Sequence, residues 1–191
     1  NVVGIQGSSG QGKSTFLDLI SGIIEPTSGG IKIDNKDISL NSDMWRKKIG
    51  YVSQHSFFLD DTLKNNIIFD KLGIVNEDNF AKSLKLSNVD EFIKDLPMGI
   101  DTIIGEDGAK LSGGQKQRIS IARAIYRNPE IIIFDEATSA LDESNEKKIF
   151  EVISNLKGHV TIFISTHKIS LLSNCDIRLK IQDKKITSVI S

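Results

Sequence analysis

Cysteine is almost absent. The 191 residues hold one, Cys175. A single thiol cannot close an intramolecular disulfide, and such sparing use points to a reducing compartment. Cys175 follows an apolar, helix-like run, which predicts a buried structural thiol rather than a reactive one. Net charge is lacking too: 24 basic against 25 acidic residues leave −1. No global basic field recruits nucleic acid, and none is expected as a partner. No apolar run approaches the ~18 residues that a membrane-spanning helix needs. There is no visible secretory leader, internal repeat or low-complexity segment. An initiator methionine is also missing. Asn1 leads straight into an apolar run, and the expectation is a fragment of a longer product. The length suggests one domain with a sizeable core.

What is present is organised around Gly7-Ser8-Ser9-Gly10-Gln11-Gly12-Lys13-Ser14. The stretch fits G-x-x-x-x-G-K-[ST], a loop that cradles phosphates. Val2, Val3 and Ile5 precede it as a short buried strand. Phe16, Leu17, Leu19, Ile20, Ile23 and Ile24 follow at helical spacing, with Gly22 and Pro26 marking the end. Glycines let backbone N–H groups approach phosphate oxygens, and a helix starting near Lys13 adds about half a positive charge at its N-terminus. Lys13 is expected on the β- and γ-phosphates and the Ser14 hydroxyl on Mg²⁺. Thr15 is grouped with these nucleotide-binding residues.

Downstream, Pro26-Thr27-Ser28-Gly29-Gly30 marks a turn, and Ile31, Ile33 and Ile38 predict a half-buried strand and its exit. Trp45, Ile49, Tyr51 and Val52 lead to Gln54, either a solvated loop residue or a ligand for Mg²⁺ or the attacking water. Residues 56–110 show no strand alternation and predict a mostly helical insertion, broken near Gly73 and at Pro97-Met98-Gly99. Ser112 and Gln115 fit a capping box at the start of a helix that runs through Ile119, Ala122, Ile125 and Tyr126 and stops before Asn128-Pro129. Gly113 and Gly114 cost stability in its first turn, so their value lies in close backbone approach, and a helix N-terminus prefers an anion. Ile131 to Phe134, ending in Asp135 and Glu136, reads as a buried parallel strand with two carboxylates at its ligand-facing end. Asp135 is expected in the Mg²⁺ shell and Glu136 against the attacking water. After Ser139-Ala140-Leu141-Asp142 comes a helix with Ile149, Phe150, Ile153 and Leu156 apolar and Gly158 just past its end. Val160–Ile164 is a further buried strand. His167 stands beyond it, able to reach a γ-phosphate oxygen, while His55 and His159 lie in polar loops. Residues 177–190 predict a hairpin turning near Asp183-Lys184.

Together these motifs resemble an ABC transporter nucleotide-binding domain along essentially the whole chain. Gly7–Ser14 resembles its Walker A loop, Gln54 its Q-loop, and Leu111-Ser112-Gly113-Gly114-Gln115 is identical to its LSGGQ signature. Ile131–Asp135 with Glu136 resembles Walker B and its catalytic glutamate, Ser139–Asp142 the D-loop, and His167 the switch histidine. The resemblance implies an α/β fold, a P-loop NTPase (RecA-like) core with a mostly parallel sheet. The core is expected over about 1–54 and 129–191 and an inserted helical subdomain over about 55–128. It implies ATP and Mg²⁺ as ligands and a head-to-tail partner domain, an identical chain by expectation. The signature, from Leu111 to Gln115, would then reach ATP in trans, and Asp142 would couple the two sites.

Leu96 to Glu106 resembles the exporter-type loop before the signature. This implies a transmembrane domain fused upstream, at the cytoplasmic face of the cell (inner) membrane. Phe57, Phe58 and Leu59 would line a groove for its helices or else pack into the core, and Asp60-Asp61-Thr62 faintly resembles exporters of glycans and lipid-linked saccharides. The family's leading strands and adenine-stacking aromatic would lie before Asn1, so this stretch is expected to bind ATP weakly and to leave a sheet edge uncovered. Lys184-Lys185 stands where the family has glycine. A soluble ABC protein acting on ribosomes or DNA, and a separately encoded importer ATPase, remain the alternatives.

Overall fold

The computed structural model describes residues 1–33, 35–38, 42–70, 74–137, 142–183 and 185–190. The expected break at Gly73, the loop residues Ser139, Ala140 and Leu141, and Lys184 lie outside them.

The chain opens with β1 (Val2–Gln6), loops through Gly7 to Gly12, and enters α1 (Lys13–Ser21). Gly22, at φ 72°, ends α1 in the left-handed conformation that glycine adopts without steric cost. That reversal corrects one expectation. Ile23 and Ile24 do not continue the buried helix face; they are 56% and 39% exposed. A second correction follows. Ile31 to Ile38 is not one strand but two, β2 (Lys32–Ile33) and β3 (Lys36–Asp37), which pair antiparallel in a sheet of their own. Asn35, at φ 63°, turns the chain between them.

Next come α2 (Ser42–Lys47), β4 (Ile49–Val52) and the insertion: α3 (Leu63–Ile68), α4 (Glu77–Leu86), α5 (Asp90–Ile93) and two single 3₁₀ turns. Among the described residues this stretch forms helices and turns but no strand, and one of the two 3₁₀ turns, Gly99–Asp101, follows Pro97-Met98. The long helix α6 (Gly113–Tyr126) leads to β5 (Ile131–Asp135). Then follow α7 (Glu143–Leu156), β6 (Thr161–Ser165), α8 (Ile169–Leu172) and the expected hairpin of β7 (Ile177–Gln182) with β8 (Lys185–Ile190). Gly158, at φ 89°, lies just past the end of α7, as its position suggested.

Six strands form one sheet in the order β4-β5-β6-β1-β7-β8, parallel throughout except for β8. The register fixes what meets at the carboxyl edge: Val52 pairs with Phe134, Asp135 with Ser165, and Ser165 with Ile5. Chain segments leaving β4, β5, β6 and β1 therefore emerge side by side, where open α/β sheets bind ligands.

The β5 run is buried on both faces. Ile132 and Phe134 join Val52, Ile162, Ile164 and the α7 residues Ile149, Val152 and Leu156; Ile133 joins Ile5, Leu17 and Ile181 on the other side. Each such side chain contributes about 1.5–3 kcal/mol. A separate cluster gathers Phe58, Leu63, Ile67, Phe80, Phe92 and Ile104 in the helical insertion. Helix α6 serves both: Ile119 and Ala122 belong to the insertion's cluster, Ile121, Ala124 and Ile125 to the sheet's.

The three residues Phe57, Phe58 and Leu59 separate. Phe58 is a core residue, 1% exposed, so the core-packing alternative holds for it; Phe57 is 60% exposed. Leu59, half-buried, lines a cleft of about 580 Å³ with Asp61, Ile68 and Phe69. Arg123 on α6 holds this segment, donating to the Phe57 and Asn66 carbonyls and lying over the Phe58 and Phe69 rings. Burial, then the Arg127 charge, pull its guanidinium down to about 10, still charged at neutral pH. No helix among the described residues is long and apolar enough to cross a membrane.

Candidate functional site

The loop after β1 turns on two glycines. Gly10 and Gly12 sit at φ 77° and 96°, where a β-carbon is strained. Gly12 leads directly into α1, and its carbonyl accepts from the Phe16 N–H at 2.9 Å. No acidic residue occupies the first turn of α1 or of α6, whereas α4 and α5 carry two each. The positive ends of α1 and α6 are thus left without a neutralising side chain of their own. Gly7 is buried, Ser8, Ser9, Gly10, Ser14 and Thr15 are exposed, and the Gln11 side chain accepts from the Asp183 N–H at 3.1 Å.

Lys13 is buried and its ammonium group is surrounded. It donates to the Gly7 carbonyl at 3.0 Å and lies 3.3 Å from the Ser8 carbonyl. It also forms a triangle with the Glu136 Oε1 and His167 Nε2 atoms, each side 3.2 Å. Four groups surround its three protons, and the imidazole tautomer decides how those protons are shared. An imidazole protonated on Nδ1 accepts from Lys13; a proton on Nε2 points instead to Glu136.

Glu136 follows β5 at φ 48°, an uncommon conformation for a residue with a β-carbon. Its N–H is shared between the Ser165 hydroxyl at 2.9 Å and the Ser165 carbonyl at 3.2 Å. Asp135, half-buried, accepts from the Ser165 hydroxyl at 2.6 Å through Oδ1; its Oδ2 lies 3.3 Å from the Tyr51 hydroxyl. That hydroxyl is also 3.1 Å from Asp18 Oδ1, so Tyr51 ties α1 to the end of β5. Burial, followed by the Asp135 and Asp18 charges, pushes the phenol well above its usual range, keeping it a donor.

Gln54 is exposed. With Phe57, Gly113, Gln117, Glu136 and Ala137 it lines a cleft of about 470 Å³. The expected capping box is present. Ser112 Oγ accepts from the Gln115 N–H, and the Gln115 side chain accepts from the Ser112 N–H. Ser112 and Gly113 face solvent; Leu111 and Gly114 are buried. Asp142 caps α7 through the Asn145 N–H at 2.8 Å, and this bond holds its carboxyl below the usual range.

The structure therefore brings Lys13, Asp135, Glu136 and His167 to one sheet edge, with Gln54 on an adjoining cleft. Ser112, whose hydrogen bonds run to Gln115, stays outside that group. Sequence reasoning passed over Tyr51, Asp18 and Ser165. Their only signal was position: the first and third lie on strands ending at the ligand edge, and Asp18 one helical turn after Ser14.

The donor set also fits Mg²⁺. This ion takes one or two carboxylates with phosphate oxygens and water rather than an all-protein cage. The exposed Ser14 hydroxyl on α1 and the Asp135 carboxylate, linked through Tyr51 and Asp18, match that need. Among the described residues there is no cluster of three or more His, Cys, Asp or Glu that would bind a metal on its own.

The model of the family described as ABC transporter matches residues 1–139. An ATP-dependent lipid A-core flippase from Coxiella burnetii is 38% identical over 97% of this chain and 32% of its own length. The mitochondrial ATP-binding cassette sub-family B member 10 of Mus musculus is 39% identical over 97% of this chain and 26% of its own. ABC transporter B family member 13 of Arabidopsis thaliana is 41% identical over 94% of this chain and 14% of its own. The chain thus spans a third or less of each of these relatives. A solved bacterial Atm1-family ABC exporter with ATP bound superposes with a TM-score of 0.87 at 36% identity, over 97% of this chain and 33% of that one. With that match, the six-stranded P-loop sheet and the convergence of Lys13, Asp135, Glu136 and His167, the chain belongs to the ABC transporter family, as one of its ATP-hydrolysing domains.

Proposed function

We propose that this chain is the motor domain of an exporter, binding ATP with Mg²⁺ and hydrolysing it between two head-to-tail copies. The observation that carries the reading is the Lys13–Glu136–His167 triangle, set directly beside the phosphate loop and Asp135. Gly7 to Thr15 cradle the triphosphate, with Lys13 on its β- and γ-phosphates. Ser14, Gln54 and Asp135 hold Mg²⁺, which supplies charge neutralisation where negative charge develops. Glu136 polarises the attacking water, Gln54 helps to orient it, and His167 hydrogen-bonds the γ-phosphate.

Ser112 and the Gly113 and Gly114 backbone, at the start of α6, complete the site of a second copy, with Leu111 and Gln115 fixing that turn. Asp142 couples the two sites. Two whole sites per pair follow, because each copy supplies every element. ATP favours closure because these contacts exist only in the closed pair. The chain divides into a core over about 1–54 and 129–191 and a helical part over about 55–128, with Phe57 and the Leu59 cleft turned toward membrane-embedded partner helices. Those helices are fused upstream, and the domain works at the cytoplasmic face of the membrane. Names such as exporter and flippase among the relatives support export over a ribosomal or DNA-directed role.

The test is Glu136→Gln in the complete polypeptide. ATP binding should persist, turnover should fall at least about a hundredfold, and an ATP-bound dimer should accumulate. Unchanged steady-state hydrolysis would remove the role given to Glu136.

A further inference from the structure

Ser165 ends β6 with its side chain almost wholly buried, 1% exposed. A serine hydroxyl carries one proton and two lone pairs. Here the proton goes to Asp135 Oδ1 at 2.6 Å, and one lone pair accepts the Glu136 N–H at 2.9 Å. One hydroxyl thus joins two successive residues whose proposed tasks differ, metal binding and water polarisation. The pairing of Asp135 with Ser165 across neighbouring strands makes the reach possible.

The alternative restraint on Asp135 is weaker. Tyr51 approaches Oδ2 at 3.3 Å but lies nearer to Asp18 Oδ1, at 3.1 Å, and has one proton for two carboxylates. The Ser165 contact is in the short range of O–H donors to carboxylates. Glu136, at φ 48°, departs from β5 in a backbone conformation that side-chain-bearing residues rarely adopt, and the same hydroxyl braces its amide.

We propose that Ser165 is a positioning residue: its hydroxyl fixes the Asp135 carboxylate and the Glu136 backbone in one relative geometry, setting both Mg²⁺ affinity and turnover. The inference rests on the roles proposed above for Asp135 and Glu136. Removing the hydroxyl should spare the fold, since the Glu136 N–H keeps the Ser165 carbonyl at 3.2 Å.

The experiment uses the complete polypeptide that carries this chain. Hydrolysis is measured against Mg²⁺ concentration at saturating ATP, and binding of a fluorescent ATP analogue is measured with Mg²⁺ and with a chelator. For Ser165→Ala the Mg²⁺ midpoint should rise about tenfold and kcat fall about tenfold, the scale typical of residues that orient metal ligands. Chelator-bound affinity should not change, and Ser165→Thr should restore most of the loss. A hydroxyl that merely fills the core would shift stability and leave the Mg²⁺ midpoint in place; that result overturns the proposal. Should Ser165→Ala fail to fold, Ser165→Cys keeps the volume with a weak donor and must show the same raised midpoint. Asp135→Asn and Glu136→Gln serve as references. If neither slows hydrolysis, the site reading fails and takes this inference with it; if both do and Ser165→Ala does not, only the inference falls.

Discussion

Asn145 occupies the space where Gly114 would carry a side chain: a β-carbon added there would overlap its carboxamide. The same asparagine donates its backbone N–H to Asp142 Oδ1 and its side-chain amide to Asp142 Oδ2, at 2.8 and 3.0 Å. The start of α6 thus packs on the start of α7 within one chain. Gly114→Ala should therefore cost about 1–3 kcal/mol by overpacking, read as a lower urea midpoint. Adding Asn145→Ala, which removes the carboxamide but keeps the backbone N–H on Asp142, should recover most of that stability. Hydrolysis should stay low in the double variant if the Gly114 backbone also meets nucleotide; full recovery of both would make the glycine purely a packing residue.

Lys13→Ala should abolish nucleotide binding. Hydrogen bonds to charged groups contribute about 1.5–3 kcal/mol each, so two lost phosphate contacts predict at least a hundredfold weaker binding of a fluorescent ATP analogue. Retained affinity would contradict the phosphate-loop reading. The same variant frees Glu136 and His167 from a shared cation.

Neighbouring phenylalanines should behave differently. Phe58→Ala removes a ring from the core of the insertion and should cost about 3–5 kcal/mol, while Phe57→Ala should fall within about 0.5 kcal/mol. Thermal or urea unfolding checks the pair. If Phe57 meets membrane helices, its loss should instead uncouple transport from hydrolysis in the complete protein.

Cys175 is buried, its thiol donating weakly to the Leu171 carbonyl at 3.4 Å, and burial raises its pKa above the usual 9.0. The folded state holds this proton more tightly than the unfolded chain. The thiol's contribution is therefore complete below about pH 9 and declines as pH rises past that value through the folded pKa. The urea midpoint should fall between pH 8 and pH 10 more in the native protein than in Cys175→Ala, and alkylation should be slow until the protein unfolds.

Much of this was legible in the chain itself. The glycine loop between β1 and α1, the carboxylates of Asp135 and Glu136 at the end of β5, the capping box and the C-terminal hairpin depend on local pattern, and local pattern is what a sequence displays. What local pattern left wrong, open or unremarked has a different cause. Ile23 and Ile24 kept helical spacing after Gly22 had already turned the chain, because spacing carries no information about a left-handed residue between. Phe57 and Phe58 are alike in composition, and only the packing of α3, α4 and α6 decides which is enclosed. Ser165 looked like the polar end of a strand, since its partners lie about thirty residues away on β5 and meet it through the parallel register.

Helix α6 lends alternate residues to the sheet core and to the insertion's core. That dual membership bears on cooperativity. Neither half can come apart while α6 stays whole, and α6 cannot fray without opening both. Amide protons at its centre, around Ile121 and Ala122, should exchange only through global unfolding, while those of β2 and β3 exchange through local opening. One transition, rather than two, should then describe denaturation of the domain.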